Sequence, residues 1–233
     1  MLVAAGGASA SDRLEWKEDY RSVMRAAEEQ RKLIMIDFYT SWCKYCRQLD
    51  EESFEDEKIK ELLAQEFVVA RLDAEIQKAA ARRYRPEGYP TVIFATPAGD
   101  EIIRFSGYRE RDQVYRIVET VKHVGPQVAE LHARLDEDER SFELHRELGK
   151  LYAELGVAGR ACHHLERARR AAPNEQAEAE VMFLRARAQL AAGDCDEAEK
   201  ILEELIEDAG EENVPSPWRE ALTQAREGCS REG

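Results

Sequence analysis

The sequence predicts an α/β fold, a central mixed sheet flanked by helices, followed by a C-terminal all-α domain of helical repeats. Three observations support this prediction. The apolar run from Leu33 to Tyr39 ends just before two cysteines three residues apart, and helical spacing of apolar residues begins at the second cysteine. Further strand-like runs alternate with helical segments up to about residue 123. After residue 126 the pattern is helical.

The first half of the chain contains predicted elements in the order helix, strand, helix, strand, helix, strand, strand, helix. Strands joined by helices are expected to be parallel, and the last two strands, which a short turn joins, antiparallel. The predicted strands are 33–39, 68–73, 89–94 and 101–107, and the helices begin near residues 19, 46, 75 and 111.

Gly125-Pro126 is expected to end the last of these helices, at about His123, and to mark a domain boundary. The chain is therefore divided into a terminal segment 1–13, an α/β domain 14–125 and a helical domain 126–233.

The 233 residues carry 34 basic and 48 acidic side chains, a net charge of −14. Residues 1–125 contribute −3 of this charge and residues 126–233 contribute −11. The acidic excess argues against a nucleic-acid partner and favours a solvated surface, with steering of basic partners as the alternative. No apolar run reaches the roughly 18 residues that a membrane helix needs, so we expect no membrane span.

The opening segment ends in Ala8-Ser9-Ala10, which is similar to a signal-peptidase site, but it lacks a basic start and a full apolar core. It is interpreted either as the remnant of an export signal or as a disordered tail. The first interpretation places the protein in the periplasm or outside the cell, and the second leaves the cytoplasm open.

Five cysteines occur, at positions 43, 46, 162, 195 and 229, and this odd, irregular set does not indicate a disulfide framework. Cys43 and Cys46 lie where a strand gives way to a helix, and the free N–H groups and dipole of a helix start stabilise a thiolate. Lys44 and Arg47 act in the same direction. The alternative is half of a zinc site, but no second CxxC completes it, so we expect no metal.

This element order, with Trp42-Cys43-Lys44-Tyr45-Cys46 after the first strand, resembles the thioredoxin family over residues of about 14 to 123. Asp37, six residues before Cys43, matches the family's buried carboxylate, and Arg71 stands where the family usually has a lysine. Tyr89-Pro90-Thr91 matches the cis-proline element, and Gly107 matches the glycine after the last strand. The likeness is greater to thioredoxin-like domains of the bacterial envelope. Lys44-Tyr45 departs from the Gly-Pro of thioredoxins proper, so redox potential and partner choice are not transferred.

The resemblance implies a thiol–disulfide oxidoreductase that needs no cofactor beyond the redox-active Cys43–Cys46 pair. Cys43, at a predicted exposed first turn, would attack a client disulfide, and Cys46, one turn deeper, would resolve the mixed disulfide. Asp37, in an otherwise apolar strand, is expected to have a raised pKa and to take the proton from Cys46. The alternative is a buried carboxylate merely paired with Arg71.

Other residues are expected to contact the client. A cis Pro90 would place the Tyr89 backbone beside the sulfurs, where an extended segment of the client pairs with it; a trans turn proline is the alternative. Trp42 forms an apolar rim beside Cys43 or packs under the loop. Tyr45 selects partners or only faces solvent. The predicted substrate-binding set is Trp42, Tyr45, Tyr89, Pro90 and Thr91, with Lys44, Arg71 and Gly107 as supporting residues.

The second half of the chain matches the spacing of a tetratricopeptide repeat, which is two antiparallel helices with small residues at their closest approach. Gly156 and Gly193 each follow a Leu/Ala-rich helix, which indicates a second, degenerate repeat, and a final helix is predicted at 218–226. So short an array is expected to pack on the α/β domain or on another copy of the chain. His163-His164 and the remaining cysteines are interpreted as core or surface residues. The matching residues of the first repeat are Leu148, Gly149, Tyr152, Ala161, Leu165, Ala168 and Pro173.

The leading functional prediction is an enzyme that reduces protein disulfides and is itself reduced by a partner, while the helical repeats dock a protein or form a homodimer. The alternative is a non-catalytic adaptor, in which the repeats bind a partner and the α/β domain is a scaffold.

Overall fold

A computed structural model describes residues 14–229, apart from the side chains of residues 211 and 229. The predicted terminal segment 1–13, with its possible export signal, lies outside the described residues. The chain divides into two compact units between Ala129 and Glu130. No helix among the described residues is long and apolar enough to cross a membrane.

The first unit is built of alternating helices and strands. Its elements are α1 (Tyr20–Gln30), β1 (Leu33–Tyr39), α2 (Lys44–Leu49), a π-helical segment (Asp50–Phe54), α3 (Glu57–Glu66), β2 (Phe67–Asp73), α4 (Lys78–Tyr84), β3 (Thr91–Ala95), β4 (Glu101–Ser106) and most of α5 (Arg111–Leu135), whose residues from Glu130 on belong to the second unit.

The four strands form one mixed sheet in the order β2-β1-β3-β4. β1 and β2 are parallel, and β3 and β4 are antiparallel, as the sequence predicts. β3 differs from the expectation, because it follows helix α4 and yet lies antiparallel to β1. The chain bends through residues 87–90 before it enters β3, and the helical pattern of α4 carries no information about this bend.

The two faces of β1 have different roles, since successive side chains of a strand point to opposite faces. Ile34, Ile36 and Phe38 belong to a core cluster that also contains residues of α1 and α4. Leu33, Met35 and Asp37 therefore share the other face. Every residue of β1 except Tyr39 is buried, so Asp37 is a carboxylate on a strand that has no solvent-facing side.

Helix α5 does not end at Gly125-Pro126 as predicted, but continues to Leu135 with Pro126 inside it. Gly125 lies where the helix approaches the sheet, since a Cβ there would come within 2.5 Å of Leu33 Cδ1. A proline inside a helix costs about 3 kcal/mol. Burial of Val121 and Val128 on either side offsets this cost, which a prediction from local sequence does not include.

The second unit is helical throughout its regular structure, consistent with helical repeats. It contains α6 (Phe142–Glu154), α7 (Ala158–Arg170), α8 (Glu175–Ala192), α9 (Cys195–Ala209), a 3₁₀ turn (Glu211–Asn213) and α10 (Ser216–Cys229). Each of these five helices packs on the next one along the chain. Gly156 and Gly193 have positive φ angles of 71° and 81°, a conformation that glycine adopts without strain.

The closest approach of α6 and α7 depends on Gly149. A Cβ at this position would lie 2.5 Å from Leu165 Cγ and 2.6 Å from Leu165 Cδ2. The neighbouring side chains Leu148, Tyr152 and Ala161 are fully buried. Gly149 therefore acts as the small residue at a helix crossing, which is the part the repeat pattern assigns to it.

We expect Gly149→Ala to destabilise the helical unit by about 1–3 kcal/mol, because the added methyl group overpacks a filled contact with Leu165. Gly159→Ala is the matched control, since Gly159 lies in α7 with open space around its Cα. The control is expected to be neutral or stabilising by up to about 1 kcal/mol, because alanine has the higher helix propensity. Chemical denaturation followed by circular dichroism measures both changes. Equal effects of the two substitutions would contradict the role of Gly149.

Candidate active site

Cys43 and Cys46 are joined by a disulfide bond at the junction of β1 and α2, with their Cα atoms 5.3 Å apart. Cys43 is the N-cap residue of α2, and its sulfur accepts a hydrogen bond of 3.1 Å from the backbone N–H of Cys46. The Cys43 sulfur therefore faces the N–H of Cys46 and the positive end of the helix dipole. Both effects favour the thiolate form once the disulfide is reduced.

Cys43 is less exposed than the sequence suggests. It was expected at an exposed first turn, but it is 5% exposed, and Cys46 is 3% exposed. The reason is local: the Cys43 sulfur turns back onto the first helical turn, where it bonds to Cys46 and accepts the N–H bond. In this oxidised state an attacking group can reach the sulfur only over a small area.

The carboxylate of Asp37 is fully buried, and its placement follows from the register of the sheet. β1 and β2 are paired so that Asp37 lies beside Arg71, and parallel neighbours point to the same face. Arg71 Nε donates to Asp37 Oδ2 over 3.4 Å, while Asp37 Oδ1 has no hydrogen-bond partner. Burial raises the pKa of Asp37 to about 6, and the nearby Arg71 charge limits this rise. Thus Asp37 is paired with Arg71 and also has the raised pKa that the sequence predicts.

Arg71 also pairs with a second carboxylate. Its Nη2 forms an ion pair with Asp50, at the start of the π-helical segment. Its guanidinium also lies over the rings of Trp16 and Tyr39, 5.3 Å and 5.6 Å from their centroids. Our sequence reasoning missed these three residues. The position of Asp50, one helical turn after Cys46, was the only local signal for its proximity.

The loop before β3 contains a cis peptide bond between Tyr89 and Pro90, as the resemblance implied. The carbonyl of Pro90 accepts a hydrogen bond of 2.8 Å from the N–H of Gly107, whose φ is +78°. The hydroxyl of Thr91 donates to the carbonyl of Gly88 over 2.7 Å, and the Thr91 side chain is fully buried. Thr91 and Gly107 therefore hold the proline loop, and the side chain of Thr91 is not available to a client.

Large apolar side chains are exposed beside the disulfide. Trp42 is 66% exposed and Tyr45 is 58% exposed. The Trp42 ring meets the ring of Tyr89 edge to face, with centroids 6.2 Å apart, so the cysteine loop and the proline loop are in contact. Trp42 Nε1 also donates to Glu75 Oε1 over 3.5 Å. Trp42 thus lies on the surface rather than under the loop, and Lys44 is exposed as well.

His163-His164 and the remaining cysteines lie in the helical unit, where the sequence reasoning assigned no ligand role. His164 is 6% exposed and stacks on Tyr152 with ring centroids 5.4 Å apart, and its Nδ1 lies 3.0 Å from His145 Nδ1. Among the described side chains of residues 14–229, no group of three or more His, Cys, Asp or Glu residues is arranged so that it could hold a metal ion. Cys162 and Cys195 are free and half-buried.

A mixed four-stranded sheet, a CxxC disulfide at the first turn after the central strand and a cis-proline loop beside it define a thioredoxin-like domain. Residues 20–122 match the family model of the thioredoxin-like domain. This is 103 residues of the first unit, and it includes every residue predicted for the active site.

The chain is similar to parts of larger curated proteins. It is 32% identical over 112 residues to a protein disulfide-isomerase of Hordeum vulgare, covering 46% of this chain and 21% of that protein. It is 35% identical to protein disulfide-isomerase A4 of Homo sapiens, and the match covers 34% of this chain and 12% of that protein. It is 29% identical to the thiol:disulfide interchange protein DsbD of Actinobacillus pleuropneumoniae serotype 5b, and the match covers 40% of this chain and 18% of that protein.

Among solved structures, a thioredoxin from Thermus thermophilus is 29% identical, with a TM-score of 0.43, and the match covers 46% of this chain and 86% of that one. The chain spans about a fifth or less of the length of the three curated relatives.

We expect Asp37→Asn to stabilise the oxidised protein at pH 8 by up to about 3 kcal/mol, with a difference that shrinks towards zero near pH 4. The folded-state pKa of about 6 lies above the ordinary value of 3.8. The folded state therefore binds this proton more tightly than the unfolded chain does. The resulting contribution to the free energy of unfolding is fully present below pH 3.8 and is lost as the pH rises through 6. An amide avoids the cost of burying the charge.

Guanidinium denaturation at a series of pH values measures this difference. Glu51→Gln, a change at an exposed carboxylate of the π-helical segment, is the control and should show no such pH dependence. A difference between Asp37→Asn and the wild type that is the same at pH 4 and pH 8 would contradict the assigned pKa.

We expect acid to destabilise the helical unit through His164. Burial, together with His132, His145, His163 and Arg160, lowers the pKa of His164 to about 3 from 6.5. The unfolded chain takes up a proton as the pH falls through 6.5 and the folded chain does not, so stability is lost below pH 6.5. Between pH 7 and pH 5 the loss from His164 is about 2 kcal/mol.

Amide hydrogen exchange over residues 142–170, corrected for the intrinsic pH dependence of exchange, should show about 30-fold less protection at pH 5. His164→Phe, which keeps a ring beside Tyr152, should remove much of this change. His123→Phe, at an exposed histidine of the first unit, should leave it intact. Equal protection of the wild type at pH 7 and pH 5 would refute the lowered pKa of His164.

Proposed function

We propose that this protein is a thiol–disulfide oxidoreductase that reduces disulfide bonds of protein clients through Cys43 and Cys46. The observation that carries the proposal is the Cys43–Cys46 disulfide at the N-terminus of α2, within a domain that matches the thioredoxin-like family. The disulfide-bonded chain is the product state of this reaction.

The chemistry proceeds by two exchanges. In the reduced protein, the Cys43 thiolate attacks one sulfur of the client disulfide, a mixed disulfide forms, and the other client sulfur leaves as a thiolate that takes up a proton. The Cys46 thiol then loses its proton and attacks the Cys43 sulfur, which releases the second client thiolate. Two electrons pass to the client, and a dithiol reductant must return them to Cys43 and Cys46.

Asp37 is proposed to accept the proton of Cys46. Its support is the combination of full burial, a pKa raised to about 6, and an oxygen, Oδ1, that has no hydrogen-bond partner. A carboxylate with that pKa is mostly ionised at neutral pH and still basic enough to take a proton from a thiol as it attacks. Burial outweighs the charge of Arg71 in setting this pKa, so the ion pair does not return Asp37 to the weaker basicity of an ordinary aspartate.

The client is proposed to bind across the exposed Trp42 and Tyr45 side chains and along the backbone at Tyr89. The edge-to-face contact of Trp42 with Tyr89 makes one surface from the cysteine and proline loops. Such a surface suits an extended segment that carries apolar side chains near its disulfide. Reduction is proposed as the direction of the reaction. The helical unit is proposed to dock a protein partner or to form a homodimer, and the periplasm or the extracellular space is proposed as the location.

We expect Cys43→Ser to abolish dithiothreitol-dependent reduction of insulin, because the attacking sulfur is lost. Cys46→Ser should also lose most of this activity, and reduced Cys46→Ser that has been freed of dithiothreitol should accumulate a mixed disulfide between Cys43 and an insulin chain, which intact-mass spectrometry detects. Cys162→Ser, at a free cysteine of the helical unit, is the matched control and should reduce insulin as the wild type does.

Turnover retained by Cys43→Ser would refute the proposed enzyme. If the wild-type disulfide also resisted dithiothreitol, the low exposure of Cys43 would be the cause. The non-catalytic adaptor would then be the remaining interpretation. It would be supported by a protein partner that still binds when Cys43 and Cys46 are both replaced, and that binds through residues 130–233.

A further inference from the structure

The helical unit contains an open groove between α8, α9 and α10, with a volume of about 570 Å³. Its floor is apolar. Met182 and Leu205 are 6% and 2% exposed there, and Trp218 forms one side of the groove while its ring packs near Phe183. A groove of this volume has room for several side chains of a bound segment.

The rim of the groove is acidic. Glu175 and Glu178 come from the first turn of α8, and Glu204 and Asp208 come from the end of α9. Arg169 pairs with Glu178 at 2.9 Å. Among the described residues, no basic side chain lies within ion-pair distance of Glu175, Glu204 or Asp208. Three exposed carboxylates therefore surround an apolar floor without a cation of their own unit.

The position of Asp208 is electrostatically unfavourable. It lies in the last turn of α9, where the helix dipole is negative and no basic residue occurs, and Glu204 lies one turn before it. An acidic side chain in the last turn costs about 0.3–1 kcal/mol, where a basic one would gain a similar amount. A cation placed over this end of the groove would relieve the repulsion between the carboxylates and the dipole.

We propose that this groove binds a basic, amphipathic peptide segment of a partner protein, with apolar side chains on Met182, Leu205 and Trp218 and Lys or Arg side chains at Glu175, Glu204 and Asp208. This inference specifies the docking role proposed above for the helical unit, and it does not depend on the thiol chemistry. The net charge of −11 on residues 126–233 attracts such a segment over a longer range.

The test uses the full chain and a fluorescein-labelled peptide of the sequence Lys-Phe-Lys-Lys-Leu-Lys, with fluorescence anisotropy as the readout. A triple variant of the rim, Glu175→Gln with Glu204→Gln and Asp208→Asn, should weaken binding at least about 10-fold. The matched control is Glu154→Gln with Asp196→Asn and Glu227→Gln. It makes the same change in net charge at exposed positions outside the groove, and it should weaken binding less than about 2-fold.

Two further peptides separate the apolar contribution from charge. Replacing Phe and Leu of the peptide by Gly should weaken binding about 5-fold or more, and replacing every Lys by Glu should abolish it. Equal weakening by the rim variant and the control, equal binding of the Gly peptide, or no binding to the wild type at about 1 mM would each overturn the proposal.

The rim variant should reduce insulin at the wild-type rate, and Cys43→Ser should bind the peptide as tightly as the wild type does. Loss of either function therefore identifies which proposal has failed.

Discussion

The arrangement of the thioredoxin-like unit depends on one guanidinium group shared by two carboxylates. Arg71 of β2 pairs with the buried Asp37 of β1 and with Asp50 at the end of α2. The residues before α1 also contact this group of side chains. The backbone N–H and carbonyl of Lys17 are both hydrogen-bonded to the backbone of β2, and the Arg71 guanidinium lies over the ring of Trp16. Removing Arg71 would leave the fully buried Asp37 carboxylate without a cation. Burial nevertheless raises the pKa of Asp37 to about 6, because the charge of Arg71 offsets only part of the cost of removing the carboxylate from water.

Most of this unit could be predicted from the sequence, because its strands are apolar runs and its first helix is amphipathic. β1 occupies the predicted residues, and α1 begins one residue after the predicted start because Asp19 is its N-cap. The cysteine pair was found from its spacing and its place where a strand gives way to a helix, and the proline loop and the match of Asp37 to a buried carboxylate came from the resemblance to the thioredoxin family. The helix after Cys46 was not predicted correctly in detail. It is interrupted by a π-helical segment, and a new helix begins after Asp56, whose side chain caps it.

The residues that sequence reasoning missed share one property: their importance comes from contacts between distant parts of the chain. Trp16, Tyr39 and Asp50 meet at Arg71 only because the sheet and α2 bring them together. The continuation of α5 past Pro126 is similar, since the burial of its flanking residues outweighs a local signal for helix termination. In the helical unit, Gly149 was found because close helix crossings require a small residue at a fixed position in the repeat pattern. The groove at α8, α9 and α10 could not be found in this way.

The parallel pairing of Asp37 with Arg71 places a limit on the length of the chain between them. Because the side chains of a strand alternate between its two faces, a slip of β2 by one residue would turn Arg71 towards the face covered by α1 and α4, and would bring Ala70 or Leu72 beside Asp37. Asp37 would then be buried without any cation. An insertion or deletion of a single residue in the segment 55–66 is therefore tolerated only if the turn before α3 absorbs it. The spacing between the cysteine pair and β2 is thus fixed by electrostatics as much as by packing.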